Sequence, residues 1–448
     1  MTLVQALSPT PDPLATCAHF TGLPHLVFLD SSAHGPVGRY SFLMADPVAT
    51  IRAPDVRDLL LAARTALAPH RRPTLPGLPP FQGGLAGYLG YEWGAELEGV
   101  RRPPDAAPTP DVMLGVYDWT IAWDHHEDRA WIIAWTEERM AFVQDRLAAP
   151  PRPCGRPALR PSAIASNFTR AGYESAVSRI RDYIAAGDVY QVNLAQRFQS
   201  RFAGAPLALY RELRARNPAP FGAYLDMGDA AIASISPERF VRLDAGTVEA
   251  RPIKGTRPRG ATPAQDAALA RELVASEKDR AENVMIVDLL RNDLGKVCRP
   301  GSVRVPELFA LESHPTVHHL VSTVAGTLAD GYDAFDVIRA AFPGGSITGA
   351  PKIRAMQIIA ELEPDRRGVY CGAIGYISVT GAMDLNIPIR TVELRAGVAT
   401  FHAGAGIVWD SDPSAEYDET LAKARTLREA LTSPRKTRKR RGPARRPA

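Results

Sequence analysis

The stretch PIKGTRPRG, Pro252 to Gly260, holds one lysine in a setting where an amine can do chemistry. Lys254 ends an apolar, strand-like run, and Gly255 follows it at once. A glycine there lets backbone or ligand come close, so the amine can serve as a nucleophile. The same residues also read as a solvated lysine at the mouth of a turn, and short motifs taken singly often mislead. A free lysine keeps its proton up to a pH of about 10.4, so a neutral attacking amine needs surroundings that depress it strongly.

An acid is available on the preceding hairpin. AIASIS, RFVRL and TVEARPI read as consecutive strands, with a turn at Asp244, Ala245 and Gly246. A hairpin centred on Ala245 sets Glu238 opposite Pro252. Lys254 is then its diagonal neighbour on the same face, about 7–8 Å away at the backbone. A turn shifted by one residue would send the two to opposite faces. Ala281 to Asn292 reads as a helix ending near Gly295, with Glu282, Met285, Ile286 and Leu289 on one face. A carboxylate on an apolar stripe is costly unless it is paired or bound to a cation, and helix position alone leaves both open. The last helix has Asp412 as its cap and Pro413 in its first turn. Glu416, Glu419 and Lys423 share one of its faces, which by itself reads as a surface ion-pair ladder.

Between these helices, FPGGSITGAPKIRAMQIIAELEP (Phe342 to Pro364) runs a glycine-rich loop into a helix, where backbone N–H groups can meet an anion. It is not a P-loop: Gly344 and Gly349 have the separation, but Ala350 and Pro351 stand where lysine and a hydroxyl residue are required. A carboxylate suits it better than a nucleotide. Arg390 falls inside a predicted strand, Leu385 to Leu394, either as an edge charge or as a fork for a carboxylate. His125 and His126 sit at a predicted hairpin tip and read as polar turn residues rather than metal ligands.

The elements that carry these residues divide the 448-residue chain into four parts. Residues 1–150 form a β-rich region. Strands are predicted at His25–Ser32 and Gly38–Pro47, a bent strand at Phe81–Glu92, and one hairpin over Asp111–Trp135. Residues 151–165, around the aperiodic PPRPCGRPALRPS, form a linker. Residues 166–432 follow, with a helix over Phe168–Gly187 and strands at Tyr190–Phe202, Gly368–Ser378, Leu385–Leu394 and Val398–Ile407. Residues 433–448 are a basic tail, read as a disordered, solvated end rather than a nucleic-acid site. The tail holds eight Lys and Arg and no acid, so the net +4 of the whole leaves the remainder at −4. Hydrophobic content of 45% and charged content of 23% are ordinary for a globular protein. Four distant cysteines without a CxxC pair fit a reducing cytoplasm, and no run of about 18 apolar residues is present to cross a membrane.

Taken together, GDVYQVNLAQRF (Gly187 to Phe198), SPERF (Ser236 to Phe240), AENVMIVDLLRNDLG (Ala281 to Gly295), VHHLVSTVAGTL (Val317 to Leu328), the glycine loop and the last helix resemble the chorismate-utilising family. That family includes anthranilate, aminodeoxychorismate, isochorismate and salicylate synthases. The likeness is strongest from Phe168 to about Leu431, and GRYSFLMADP and FQGGLAGYLGYE match more loosely. Lys254 and GSITGAPK resemble the branch that aminates carbon 4 of chorismate. The anthranilate branch, the nearest alternative, usually has alanine at the lysine position and GTLSGAP in the loop. Gln191 stands where the isochorismate and salicylate branches carry a lysine that activates water, so ammonia is the implied nucleophile.

The resemblance implies an α+β fold in which two large antiparallel sheets pack as a sandwich with helices outside. It implies Glu238 as general acid, Lys254 as a nucleophile forming a covalent adduct, and Glu282 and Glu419 as ligands of Mg2+, with Glu416 assisting through water. Arg390, Tyr370, Lys423 and the amides near Thr348, Gly349 and Gly406 match positions that hold carboxylates, and His319 matches a histidine facing the ring. Arg257 and Arg259 are further candidates for depressing Lys254. Ammonia would come from a separate glutamine amidotransferase subunit. Feedback-inhibited members hold tryptophan near the motif at VFLDSS, with a glutamate where this chain has Asp30.

Overall fold

The computed structural model describes residues 2–35, 37–52, 58–100, 111–152, 155, 163–314 and 317–432. Most of the predicted linker and all of the basic tail lie outside the described residues. The chain is α+β, with one 12-stranded and one 10-stranded antiparallel sheet. The two sheets pack face to face. Val27, Phe42 and Met44 of the larger meet Ala86, Tyr88, Met113 and Tyr376 of the smaller in one buried layer. Strand alternation feeds the other faces, since successive side chains point to opposite sides. Leu26 and Phe28 turn outward under helices that include Pro206–Arg216 and Pro413–Thr432. Leu85 and Leu89 turn outward under Glu277–Gly295, Ala334–Ala341 and Lys352–Leu362. The result is helices, sheet, sheet, helices.

Each sheet joins a block of N-terminal strands to a block of later strands at one junction. In the larger, Leu26–Asp30 pairs with Phe221–Asp226, and in the smaller, Gly84–Leu89 pairs with Ala373–Ser378. The expected strands at His25–Ser32 and Tyr190–Phe202 form as Leu26–Asp30 and Gln191–Arg201, and the helix at Phe168–Gly187 as Arg170–Ala185.

Three expected elements break differently. The bent strand ends at Leu89, and Tyr91–Leu97 is helical. The first run of the Asp111–Trp135 hairpin splits at Asp118: Val112–Tyr117 joins the smaller sheet and Trp119–Asp124 the larger. Leu385–Leu394 splits likewise, into Met383–Asn386 and Thr391–Arg395 in opposite sheets. In both cases an apolar alternation continues across a change of sheet, because each sheet is buried on both faces and the pattern does not register the crossing. At the hairpin tip, His125 stacks on His34 with ring centroids 4.3 Å apart and bonds Ser41 Oγ at 2.7 Å. His126 Nε2 lies 3.1 Å from the Gly35 carbonyl.

Candidate active site

Lys254 lies on the strand Ile253–Pro258, which does not continue the Glu238 hairpin as expected. The turn is offset by one residue, with Asp244 opposite Thr247, and the returning strand ends at Ala250. The chain then leaves its partner, and Ile253–Pro258 pairs instead with Val317–Thr327. The ladder is irregular between Ile253 and Thr256. Gly255 takes φ +82° there, and a Cβ on it would stand 2.8 Å from Leu273 and 3.0 Å from Asp279. This bulge, rather than a hairpin register, turns Lys254 toward Glu238. The predicted proximity holds; the predicted cause does not.

Glu238 is 5% exposed and accepts a hydrogen bond from Ser346 Oγ at 2.7 Å. The Lys254 amine donates to the Ser346 carbonyl at 3.1 Å. Ser346, in the short turn Gly345–Ile347 of the glycine loop, therefore joins the acid and the amine. Burial holds the Glu238 carboxyl above the usual carboxylate range, against the opposing pull of Ser346 and Lys254. Burial lowers Lys254, with Lys423 helping, while Glu282, Glu238 and Glu419 oppose it. Arg257 and Arg259 play no part in this. Arg257 pairs with Glu272 and Asp279, and Arg259 with Asp266, so both are turned away from the amine and already neutralised.

Arg390 is not within a strand. It sits in the crossover between the sheets at φ +52°, and its carbonyl accepts from Ile235 N at 3.2 Å. No salt bridge engages it among the described residues; burial lowers its pKa and Glu238 opposes that. A half-buried guanidinium without a fixed anion suits an incoming carboxylate. His319, 2.9 Å from Thr256 Oγ1 through Nδ1, is pushed down to about 4 by burial, with Arg390 and His314 adding to the effect. It is therefore neutral at pH 7.

The two helices bring their carboxylates to the same centre. Glu282 accepts from Gln191 Nε2 at 3.3 Å. Glu419 is paired with Lys423 at 2.7 Å, the i,i+4 contact read from the sequence, and Lys423 also donates to the Gly404 carbonyl at 3.0 Å. Glu416 is held by Ser411 Oγ at 2.6 Å, and its carboxyl is raised by burial and by Glu419. Among the described residues no group of three or more His, Cys, Asp or Glu is arranged around a metal position. Two carboxylates nevertheless fit Mg2+, which takes hard oxygen donors and keeps waters. Glu282 has oxygen lone pairs to spare, since its described hydrogen bond is the single one from Gln191.

Thr348 is fully buried, and its hydroxyl bonds back to the Gly344 carbonyl at 3.0 Å while its N–H goes to Gly345 at 3.3 Å. Gly349 has φ +140°, and a Cβ there would lie 2.1 Å from the Gln191 carbonyl, so the loop passes against the Gln191 strand. Tyr370 stacks on His402 at 5.1 Å and shares that wall with the buried Arg367. At Gly406 a Cβ would meet Gln191 Nε2 at 2.4 Å. The Gln191 amide thus lies across Gly406, and its Oε1 is buried without a partner. Gly406→Ala is expected to displace this side chain rather than the backbone. The melting temperature should hold within a few degrees while ammonia-dependent turnover falls, a pair of readouts taken by calorimetry and product assay.

Sequence reasoning missed Ser346 and the braces around its loop. Lys352 bonds Asp293 at 2.5 Å and the Ala341 carbonyl at 2.8 Å, and Arg367 bonds the Ile347 carbonyl at 3.0 Å. The hydroxyl inside GGSIT was the one available signal for Ser346.

A family model of the chorismate binding enzymes matches residues 27–429. The chain belongs to this family. Aminodeoxychorismate synthase component 1 of Salmonella typhimurium is 44% identical over 429 residues, covering 90% of this chain and 92% of that protein. Anthranilate synthase component 1 of Streptomyces coelicolor is 42% identical, covering 94% and 86%. The solved anthranilate synthase component I of Streptococcus pneumoniae superposes with a TM-score of 0.79 at 35% identity, covering 88% of this chain and 93% of that one. Identity of this size does not separate the two names, so the branch within the chorismate binding enzymes rests on the site.

A cavity of about 250 Å³ also lies between the sheets, lined by Asp30, Tyr40, Phe42, Arg239, Tyr376 and Asp384 among others. The Asp30 carboxylate itself is engaged by Tyr210 at 2.6 Å and Arg214 at 2.5 Å, both on the helix Pro206–Arg216.

Proposed function

We propose that this chain aminates chorismate at carbon 4, giving 4-amino-4-deoxychorismate for p-aminobenzoate and folate synthesis. The observation that carries the reading is the half-buried Lys254 amine, held with Glu238 by one residue, Ser346. Lys254 adds to carbon 2 of the ring, the two ring double bonds shift, and the carbon 4 hydroxyl leaves with the Glu238 proton as water. Ammonia then bonds to carbon 4, the double bonds return, and the bond to Lys254 breaks. Glu238 in its acid form suits the first step because hydroxide is a poor leaving group. Arg390 and Lys423 suit the substrate carboxylates, and the unpartnered Gln191 Oε1 suits an ammonia N–H. Glu282 and Glu419 would hold Mg2+, which neutralises carboxylate charge on the protein and the substrate.

Ammonia is supplied by a separate glutamine amidotransferase in the cytoplasm. The name "component 1" borne by the relatives supports a second component, and no helix among the described residues is long and apolar enough to cross a membrane. The test is the purified chain with chorismate, ammonium and Mg2+, products separated by chromatography. We expect 4-amino-4-deoxychorismate, lost on chelation of the metal. Anthranilate as sole product would assign the other branch.

A further inference from the structure

Ser346 touches both the acid and the amine. Its hydroxyl donates to Glu238 Oε1 and its carbonyl accepts from Lys254 Nζ. The turn that carries it is rigidly seated. A Cβ on Gly345 would stand 2.4 Å from Leu289 of the Glu282 helix, so the loop is pressed against that helix. Arg367 holds the next carbonyl, Ile347, and Lys352 ties the loop's far end to Asp293 and Ala341. The two hydrogen bonds of Ser346 are therefore fixed by the framework.

An O–H donated into one carboxyl oxygen makes that oxygen the acceptor, so in the acid form the proton resides on the other. We propose that Ser346 is a positioning residue for this reaction: its hydroxyl directs the Glu238 proton to Oε2, toward the leaving oxygen, while its carbonyl keeps Lys254 aimed at the ring. This rests on the reading of Glu238 as the acid. The bond also pulls the Glu238 pKa down, against the effect of burial.

Ser346→Ala removes the hydroxyl and keeps the carbonyl. We expect kcat for chorismate consumption with ammonium to fall about ten- to a hundredfold, the size of one hydrogen bond to an ionisable group. KM for chorismate should stay within about twofold, and the alkaline limb of the pH profile should move to higher pH. Ser346→Thr should restore most of the rate. In a Glu238→Gln background, Ser346→Ala should cost almost nothing further, since the two act as one unit. An unchanged kcat and pH profile would overturn the proposal. So would a loss that Ser346→Thr does not repair, or one equally large in the Glu238→Gln background. If Ser346→Ala does not fold, Ser346→Cys, whose thiol is a weaker donor, carries the pH comparison with Ser346→Thr as the control that keeps the hydroxyl, and an alkaline limb that Ser346→Cys leaves in place overturns it. Consumption is followed whichever product forms, so anthranilate as product would sink the carbon 4 assignment and leave the Ser346 result readable.

Discussion

Lys254→Ala is expected to reduce amination at carbon 4 by at least about a hundredfold, with what remains redirected toward carbon 2. An amine fixed beside the ring acts at an effective concentration that free ammonia cannot reach, and the rate difference follows from that. Without the lysine, carbon 2 is left open to ammonia itself. The substitution also leaves the Ser346 carbonyl and Glu238 without the Lys254 amine beside them, so chorismate binding should be measured separately from turnover. Mass spectrometry of the peptide carrying Lys254, after trapping with chorismate and no ammonia, should find an adduct in the unaltered chain and none in the variant. Carbon 4 amination at the original rate by Lys254→Ala would remove the covalent step. The pH dependence follows from the direction of the shift. Only the neutral amine attacks, so activity is lost as pH falls through the Lys254 pKa. Burial, first among the causes, has moved that limb below the range of an ordinary lysine.

Glu238→Gln is the second large effect, a loss of roughly 10²- to 10⁴-fold in kcat, the range of a general acid. The amide keeps the shape and can still accept from Ser346, but has no proton to transfer. Burial raises the Glu238 pKa, so the acid form persists to higher pH than for an exposed glutamate, and activity disappears as pH rises through that value. In Glu238→Gln this alkaline limb should be absent from the residual rate. Stability moves in the matching sense. A raised folded-state pKa contributes stability that is complete below the unfolded-state value and is lost as pH rises through the folded one. The glutamine variant should therefore melt close to the parent in acid and above it in alkali. A variant that retains the full rate and the alkaline limb would show that another group delivers the proton.

These two residues and their helical partners were legible from residue types and spacing. Lys254 before a glycine, Glu282 on an apolar stripe, and Glu416, Glu419 and Lys423 on one helical face are local patterns, and local hydrogen bonding makes them elements wherever they sit. Resemblance then grouped them, and the sheets, helices and family followed. Spacing alone failed where the answer depended on a distant partner. A hairpin joining Glu238 and Lys254 requires a register that the chain abandons at Ala250, and a strand some sixty residues further on supplies the pairing instead. Arg257 and Arg259 were near Lys254 in sequence but face Glu272, Asp279 and Asp266. Arg390 was placed in a strand because apolar alternation continues through a crossover between two doubly buried sheets. Ser346 had no local signature beyond a hydroxyl in a glycine loop. By itself the sequence determined which groups could act and on which elements they stand, because periodicity and caps are short-range. Only the tertiary structure decided that a bulge at Gly255 aims the amine, and that one serine holds it to the acid, because both require packing between segments far apart in the chain.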